Sequence, residues 1–289
     1  MNVMVLGASG QLGKDLIDIL SKDKTLNIIA ITRNELNVEL DINNVITKLS
    51  MYVPDVIINC IATTNVDWCE LNSELAFKIN ANFIYMLALL CKKNQIKLIH
   101  LSTDYVFDGK KDKPYEETDI PQPQNVYGIT KYSGELIING YLDKYFIFRV
   151  SGLFGKYGAS GKGGNFITTM QKLAREKNEF NVIVDQFSNP TSTLEVARCI
   201  YYFLINQIDN YGVYHCVSQN FCSWYDFGKE ILTLSNLDTH KIKPIEFSRY
   251  HFKAKRPQNS ILSTKKLSQY YVLSTWQDSL KEYMELIDN

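Results

Sequence analysis

The first half of the chain alternates short, apolar, β-rich runs with longer segments whose apolar residues recur at helical spacing. This strand–helix alternation predicts a parallel sheet with helices on both faces. The predicted strands are residues 3–6, 27–32, 56–61, 97–101 and 146–150, and the predicted helices are residues 11–20, 73–92 and 126–140.

The pattern changes past residue 150. Residues 155–164 are rich in glycine and predict a flexible loop, followed by a helix at 166–177 and a strand near Val182. A turn is predicted at 188–190, and a strand at 213–217 that could return to the main sheet. The order is otherwise less regular. We therefore expect an α/β protein with a doubly wound parallel Rossmann sheet in residues 1–150. A smaller unit in residues 151–289 is expected to be partly interleaved with it.

Composition narrows the class of protein. Thirty-one basic and thirty-one acidic residues give zero net charge, which argues against a nucleic-acid partner. The longest apolar runs, 56–62 and 85–91, are far shorter than the ~20 residues that span a bilayer. No signal-peptide pattern precedes the first strand, so a cytoplasmic protein is expected. The six cysteines occur singly without a CxxC pair, which predicts reduced core residues and no metal.

A glycine-rich turn follows the first predicted strand. Gly7, Gly10 and Gly13 lie in the sequence GASGQLG, which opens a predicted helix. Glycines there permit a tight turn and a close approach to a pyrophosphate, whose charge is stabilised by the helix N-terminus. A strand, a turn and a helix in this order predict a dinucleotide site.

The end of the second strand bears on which dinucleotide binds. An acidic residue there would bind the ribose hydroxyls of NAD, but this chain has Thr32 and Arg33. A guanidinium suits a 2′-phosphate, so NADPH is preferred, with NADH and a merely solvated Arg33 as alternatives. Asp41 and Ile42, just beyond, could flank the adenine.

Tyr127 and Lys131 form a YxxxK pair on a predicted helix. Residues four apart share a helix face, and a nearby cation would lower the pKa of a tyrosine toward the range of a general acid. The upstream strand ends in Ser102 and Thr103, either of which offers a hydroxyl to the same substrate oxygen.

Taken together, these motifs resemble those of the extended short-chain dehydrogenases/reductases, and within them the dTDP-4-dehydrorhamnose reductase family. The GxxGxxG spacing is typical of the larger group. The resemblance extends almost from end to end and is carried by GASGQLG at 7, ELDI at 39, PDVIINC at 54, VDWCE at 66, STDYVFDG at 102, PYEETDIPQPQNVYGITK at 114, FRVSGLFG at 148, VDQFSNPT at 184, FCSWYDF at 221 and KRPQNSILST at 255.

The resemblance implies NADPH-dependent reduction of the C4 keto group of a nucleotide-linked 4-keto-6-deoxy sugar. It implies that residues 1–150 bind the cofactor and that residues 151–289 mainly bind the substrate. The implied catalytic residues are Thr103, Tyr127 and Lys131. The implied cofactor contacts are Gly7, Gly10, Gln11, Leu12, Asp41, Ile42, Cys60 and Ala62, besides Tyr127 and Lys131, and those to the substrate are Thr64, Val66, Asp104 and Tyr105.

Some positions leave alternatives open. Gly152 stands where the best-known family members carry a tryptophan against the sugar, so another nucleotide sugar, reduced or epimerised and reduced, is an alternative substrate. A non-catalytic NADP-binding subunit is a second alternative function. The chain could also form a homodimer.

Arg256 could bind a diphosphate. We expect Trp224 and Tyr225 to be core residues rather than a base-stacking platform, and His100 to be structural. Asp15 and Leu194 do not reproduce the glutamate-built metal interface of some members.

Overall fold

Strand β1 (Asn2–Leu6) sends its side chains alternately to two buried faces. Val3 and Val5 enter one apolar cluster, and Met4 and Leu6 enter another. A strand buried on both sides is an uninterrupted apolar run in sequence, as this one is. A computed structural model describes residues 1–158 and 164–288 of the chain.

The central sheet has six parallel strands in the order β2–β1–β3–β4–β5–β10. Chain order reverses between β1 and β3, and ligands of doubly wound sheets bind beyond the strand ends at such a point. The remaining strands of the sheet are β2 (Asn27–Ile31), β3 (Val56–Asn59), β4 (Lys97–Thr103), β5 (Tyr145–Val150) and β10 (Gly212–His215).

Helices cover both faces of this sheet, as predicted. Helices α1 (Gln11–Leu20) and α8 (Thr193–Ile205) pack together over the face that holds Val3 and Val5. Helices α2 (Ile42–Leu49), α5 (Phe83–Asn94) and α6 (Val126–Tyr141) cover the other face. The short helix α3 (Val66–Leu71) packs against α6.

The predicted helix at 73–92 is continuous but contains a π-helical turn. It consists of α4 (Ser73–Phe77), the turn Lys78–Asn82 and α5. By length and composition alone, the helical segment Ser73–Asn94 is long and apolar enough to cross a membrane. The uninterrupted apolar runs did not indicate this, because each is far shorter than the ~20 residues that span a bilayer. In this fold its Phe83, Ile84 and Leu87 are fully buried in the core.

The second half of the chain contributes to both parts of the molecule. Strand β10 pairs in parallel with β5, which confirms that the predicted strand near 213–217 returns to the sheet. A third apolar cluster joins helices α7, α9 and α10 with the paired strands β7 and β12. The elements outside the main sheet are β6 (Leu153–Phe154), α7 (Phe166–Glu176), β7 (Phe180–Ile183), β8 (Phe187–Ser188), β9 (Thr191–Ser192), β11 (Cys222–Ser223), α9 (Trp224–Leu234), β12 (Ile242–Ile245) and α10 (Trp276–Asp288).

Two further predictions concern single residues and a loop. All six cysteines are free thiols, five of them buried and Cys60 half-buried. The sequence thus predicted that the cysteines are reduced. Cys60, however, lines a cavity rather than lying in the core. Of the predicted flexible loop at 155–164, residues 159–163 lie outside the described residues.

Candidate active site

A cavity of about 510 Å³ opens at the carboxyl ends of β1, β3, β4 and β5. One wall comes from the loops that follow these strands and from α6, and the opposite wall comes from residues after 150. It brings together most of the residues predicted from sequence: Gly10, Gln11, Leu12, Cys60, Ala62, Thr64, Val66, Thr103, Asp104, Tyr105, Tyr127, Lys131, Gly152 and Arg256.

The glycine turn after β1 is too tight for any larger residue. Gly7 has φ +77°, a conformation that favours glycine. A Cβ on Gly13 would lie only 2.2 Å from the Gly7 carbonyl oxygen. Gly7 itself lies behind the cavity, where a Cβ would be 3.2 Å from the carbonyl carbon of Cys60. The loops after β1 and β3 therefore meet at the reversal point of the sheet.

This turn fits a dinucleotide. Helix α1 begins after Gly10 without any side-chain cap, so its first backbone N–H groups have no intrahelical or capping partner. The Gln11 side-chain oxygen is buried beside the cavity without a hydrogen-bond partner among the described residues. Free N–H groups at a helix N-terminus are suited to a pyrophosphate.

Strand β4 and helix α6 position the reactive side chains. The helix begins at Val126, where the Asn125 side chain accepts a 2.8 Å hydrogen bond from the Gly128 N–H. A Cβ on Gly128 would lie 2.2 Å from the Tyr105 carbonyl oxygen, so glycine lets α6 approach the segment after β4. Tyr127 is thereby placed beside Thr103.

The two hydroxyls of Ser102 and Thr103 point to different partners. The Thr103 hydroxyl lies beside the Tyr127 phenol, whose pKa it lowers, and donates to the Asp104 carboxylate at 3.0 Å. The Ser102 hydroxyl instead donates to the buried carboxylate of Glu135. Of the two candidates for the hydroxyl beside the tyrosine, the geometry favours Thr103.

The pKa of Tyr127 shifts in the opposite direction from the sequence expectation. Burial of the phenol raises its pKa well above the ordinary value, and the Thr103 hydrogen bond only partly opposes this. The Lys131 ammonium group lies near the backbone instead, with Nζ 2.6 Å from the Leu101 carbonyl oxygen. Burial lowers the pKa of Lys131 to about 8. Desolvation therefore dominates the pKa of Tyr127, and the group that opposes it most is Thr103 rather than Lys131.

The carboxyl group of Asp104 is buried behind the hydroxyl pair. Burial raises its pKa, and hydrogen bonds from Ser260, Ser151 and Thr103 oppose the rise. The Ser151 hydroxyl lies 2.9 Å from the second carboxylate oxygen. Asp104 thus joins β4 to the segments after 150 and fixes the Thr103 hydroxyl.

Arg256 closes the far side of the cavity. Its guanidinium lies 3.0 Å from the Asp67 carboxylate, is 4.5 Å from the ring centroid of Phe252 and hydrogen-bonds with Tyr105. Burial raises the pKa of Tyr105 to about 12. A partly exposed cation at a cavity wall is suited to an anionic substrate.

Several cavity residues were not predicted from sequence. Trp224 both packs on Phe166, with ring centroids 4.7 Å apart, and lines the cavity, so it combines the two alternatives considered for it. Its indole approaches Gly152, where a Cβ would lie 3.5 Å from the ring. The cavity lining also has polar members for which the sequence indicated no role: Asn65, Gln186, Ser188 and Ser260. The last three lie within the family segments VDQFSNPT and KRPQNSILST, but tertiary packing alone brings them to the cavity.

Residues 1–288 match the family model described as the RmlD substrate binding domain. The chain belongs to this RmlD family. A dTDP-4-dehydrorhamnose reductase of Escherichia coli (strain K12) is 35% identical over 297 residues, covering 98% of this chain and 97% of that protein. The resemblance inferred from the motifs is therefore confirmed.

Solved structures agree with this assignment. A dTDP-4-dehydrorhamnose reductase from Clostridium acetobutylicum superimposes with a TM-score of 0.92 at 36% identity, covering all of both chains. The enzyme of that name from Bacillus anthracis, in complex with NADP, gives a TM-score of 0.90 at 32% identity, covering 100% of this chain and 99% of that one. The doubly wound Rossmann fold predicted for this RmlD-family chain is confirmed.

Besides Gly7, which lies behind the cavity, three predicted cofactor contacts of this RmlD-family chain lie outside the cavity lining. Arg33 is two-thirds exposed and pairs with Glu39. Asp41 caps α2, its carboxylate accepting a 3.1 Å hydrogen bond from the Asn44 N–H. Ile42 is the first residue of that helix. Their roles stay predictions.

A Gly13→Ala substitution is expected to abolish measurable NADPH binding while the protein still folds. The added methyl group cannot fit 2.2 Å from the Gly7 carbonyl oxygen, so the turn must open and the helix N-terminus must move. Fluorescence titration with NADPH measures the loss. Gly140→Ala, in α6 with nothing within 4 Å of the added methyl group, is the matched control and should bind normally. Unchanged binding by Gly13→Ala would contradict the assignment of this turn.

Proposed function

We propose that the protein reduces the C4 keto group of a nucleotide-linked 4-keto-6-deoxy sugar with NADPH, and that the substrate is dTDP-4-dehydro-L-rhamnose. The observation that carries this proposal is the placement of Thr103 beside the Tyr127 phenol, whose pKa it lowers, with Lys131 one helical turn away, in the cavity beside the glycine turn. Support for the cofactor comes from the NADP complex of the Bacillus anthracis relative.

The residues of the chain divide the chemical work. Tyr127 donates its proton to the carbonyl oxygen, and Thr103 hydrogen-bonds to the same oxygen and orients it. The backbone at Gly10, Gln11 and Leu12 would hold the pyrophosphate, and Lys131 the nicotinamide ribose. When NADPH is bound it supplies the hydride.

Substrate recognition is assigned to the wall opposite the glycine turn. Arg256 would meet the diphosphate, and Thr64, Val66 and Tyr105 would contact the sugar or nucleotide. Gly152 leaves room that the Trp224 indole partly fills. On this basis residues 1–150 form the cofactor-binding domain and residues 151–289 mainly the substrate-binding domain. Strand β10 and helix α8 of the second domain complete the first.

A panel of 4-keto-6-deoxy sugars tests the substrate assignment. NADPH oxidation is followed with dTDP-, UDP- and GDP-linked substrates under identical conditions. We expect the dTDP-linked sugar to give the highest kcat/KM. Preference for a sugar linked to another nucleotide would change the proposed substrate but leave the proposed reaction unchanged. Tight NADPH binding with no oxidation on any sugar would instead support a non-catalytic cofactor-binding subunit.

Arg33→Ser is expected to weaken the use of NADPH about tenfold to hundredfold and to leave NADH unaffected. A charge-assisted hydrogen bond to a phosphate contributes roughly 1.5–3 kcal/mol to binding. NADH has no 2′-phosphate, so it forms no such bond with Arg33 and its binding is not weakened. The measurement is kcat/KM with each cofactor. Arg175→Ser, an exposed arginine on α7, is the matched control. Equal losses with NADPH and NADH would show that Arg33 acts on folding rather than on the phosphate.

We also infer a cytoplasmic location and no nucleic-acid or membrane partner. Six free cysteines, five of them buried, are typical of proteins kept in a reducing compartment, and the zero net charge offers no long-range attraction to nucleic acid.

A further inference from the structure

Three buried side chains form a chain of hydrogen bonds behind the cavity. The Asn59 Nδ2 atom lies 3.1 Å from His100 Nδ1, and His100 Nε2 lies 3.2 Å from Lys131 Nζ. Asn59 and His100 are at most 1% exposed, and neither lines the cavity that Lys131 reaches, so bulk water does not substitute for a missing partner of these two side chains. Every donor in this chain must therefore meet an acceptor.

The orientation of the Asn59 amide is set by the backbone. The Ile61 N–H donates to Asn59 Oδ1 at 3.1 Å. Reversing the amide would place its NH2 group against that N–H, donor against donor. The NH2 group therefore faces His100 and donates to Nδ1, which must hold a lone pair.

The protonation state of His100 follows from this. Burial and the nearby Lys131 hold the pKa of His100 well below its ordinary value, so the ring is neutral. A neutral imidazole carries one proton, and because Nδ1 accepts, that proton lies on Nε2. The Nε2–H group then points at the Lys131 nitrogen.

An ammonium group cannot accept this hydrogen bond, whereas an uncharged amine can. The Lys131 nitrogen keeps a donor for the Leu101 carbonyl oxygen, 2.6 Å away, and its lone pair is free for His100. We propose that His100, held in the Nε2–H form by Asn59, is a positioning residue that stabilises the uncharged amine of Lys131 relative to its ammonium form.

Other groups around Lys131 act on the same equilibrium. Burial lowers the pKa of Lys131, in the same direction as the His100 contact, while Glu135 and Cys60 raise it. The charge of Glu135 is itself paired with Arg149, and Tyr127 lies one turn away on the same helix. Lys131 should accordingly lose its proton nearer neutral pH than an ordinary lysine does.

The kinetic consequence rests on the proposed function. If the ammonium form of Lys131 supports proton donation by Tyr127, the reduction rate falls as pH rises through the pKa of Lys131. When the His100 N–H donor is removed, the ammonium form of Lys131 is favoured and its pKa rises. The fall of the reduction rate should therefore move to higher pH. His100→Gln is the informative change, because an amide oxygen can take the place of Nε2 and accept from the ammonium group.

The tautomer is tested first, on the unmodified protein. Long-range ¹⁵N–¹H correlation spectra of histidine-labelled protein at pH 9, above the pKa of about 8 of Lys131, distinguish the two neutral forms. The loss of one signal set in His100→Gln assigns His100 among the four histidines. We expect the proton on Nε2. A proton on Nδ1, or on both nitrogens, overturns the proposal.

The effect on Lys131 is tested next, by titration of its side-chain ¹³Cε signal in protein without cofactor. His100→Gln should raise the midpoint by about one pH unit, as expected from exchanging a hydrogen bond to the amine for one to the ammonium group. His215→Gln, at a buried histidine near Arg149, controls for burial and should leave the midpoint unchanged. An unchanged midpoint in His100→Gln overturns the proposal.

The pH profile of kcat provides the third measurement, with its falling limb expected to shift upward in His100→Gln. A lower kcat with an unmoved limb would indicate a purely structural role and overturn the proposal. Both NMR measurements are made without substrate. Failure of every keto sugar to react would therefore overturn the proposed function alone, and the tautomer and titration would still decide the role of His100.

Discussion

Tyr127→Phe is expected to bind NADPH normally and to lose turnover by about 10²–10⁴-fold, the usual contribution of a positioned general acid. The phenol is buried against the Thr103 hydroxyl, and removing its oxygen removes the group that we propose protonates the carbonyl oxygen. The ring itself keeps its packing against Tyr105, at 5.8 Å between centroids. Steady-state kcat and NADPH titration are measured on the same preparation.

Tyr132→Phe is the matched control for this experiment. Tyr132 lies on the same helix and packs against a separate apolar cluster, outside the cavity. The turnover of the Tyr132→Phe variant should therefore be unchanged. A Tyr127→Phe variant that retains more than about a tenth of the kcat would contradict the proposed role, because general acid catalysis contributes at least about 10²-fold. Loss of NADPH binding together with turnover would point to a binding role instead.

The sequence predicts the main sheet well because its strands and helices depend on local patterns. The apolar runs of β1, β3 and β4 and the amphipathic helix α1 appear where expected. Helix α8 was missed because most of its residues are buried against the sheet and the neighbouring α1. A helix that is apolar on most sides lacks the periodic pattern of a surface helix. Helices α9 and α10 share a separate apolar cluster and do not pack on the main sheet. They were missed as well.

The site shows the same division between local and tertiary information. The glycine turn, Thr103, Tyr127 and Lys131 are each marked by a motif attached to a strand end or a helix. The wall formed by Gln186, Ser188 and Trp224 lies in the family segments VDQFSNPT and FCSWYDF. No local pattern gives these residues a place in the site, since they meet only after distant segments pack. Spacing placed Lys131 on the same face of the helix as Tyr127. The contact with His100, and with it the proton balance of the lysine, depends on burial that spacing cannot indicate.

A buried ion pair supports the catalytic helix from behind. Arg149 on β5 donates to both carboxylate oxygens of Glu135 on α6, with its Nη2 2.7 Å from Oε2 and its Nε 3.0 Å from Oε1. Both residues are only 3% exposed. The Ser102 hydroxyl donates to the same carboxylate. This pair thus ties β4, β5 and α6 together one turn from Lys131.

Glu135→Gln is expected to lower the free energy of unfolding by about 3–5 kcal/mol, because it leaves the Arg149 charge buried without a counter-ion. Urea denaturation should show a lower midpoint with an unchanged slope. Glu282→Gln removes the half-exposed pair with Arg198 and should cost less than about 1 kcal/mol. Adding Arg149→Met to Glu135→Gln removes the stranded charge, so the double variant should recover much of the loss. A single variant as stable as the Glu282→Gln control would show that Arg149 is compensated elsewhere, with His215, whose Nε2 lies 3.4 Å from Arg149 Nη1, as an alternative partner.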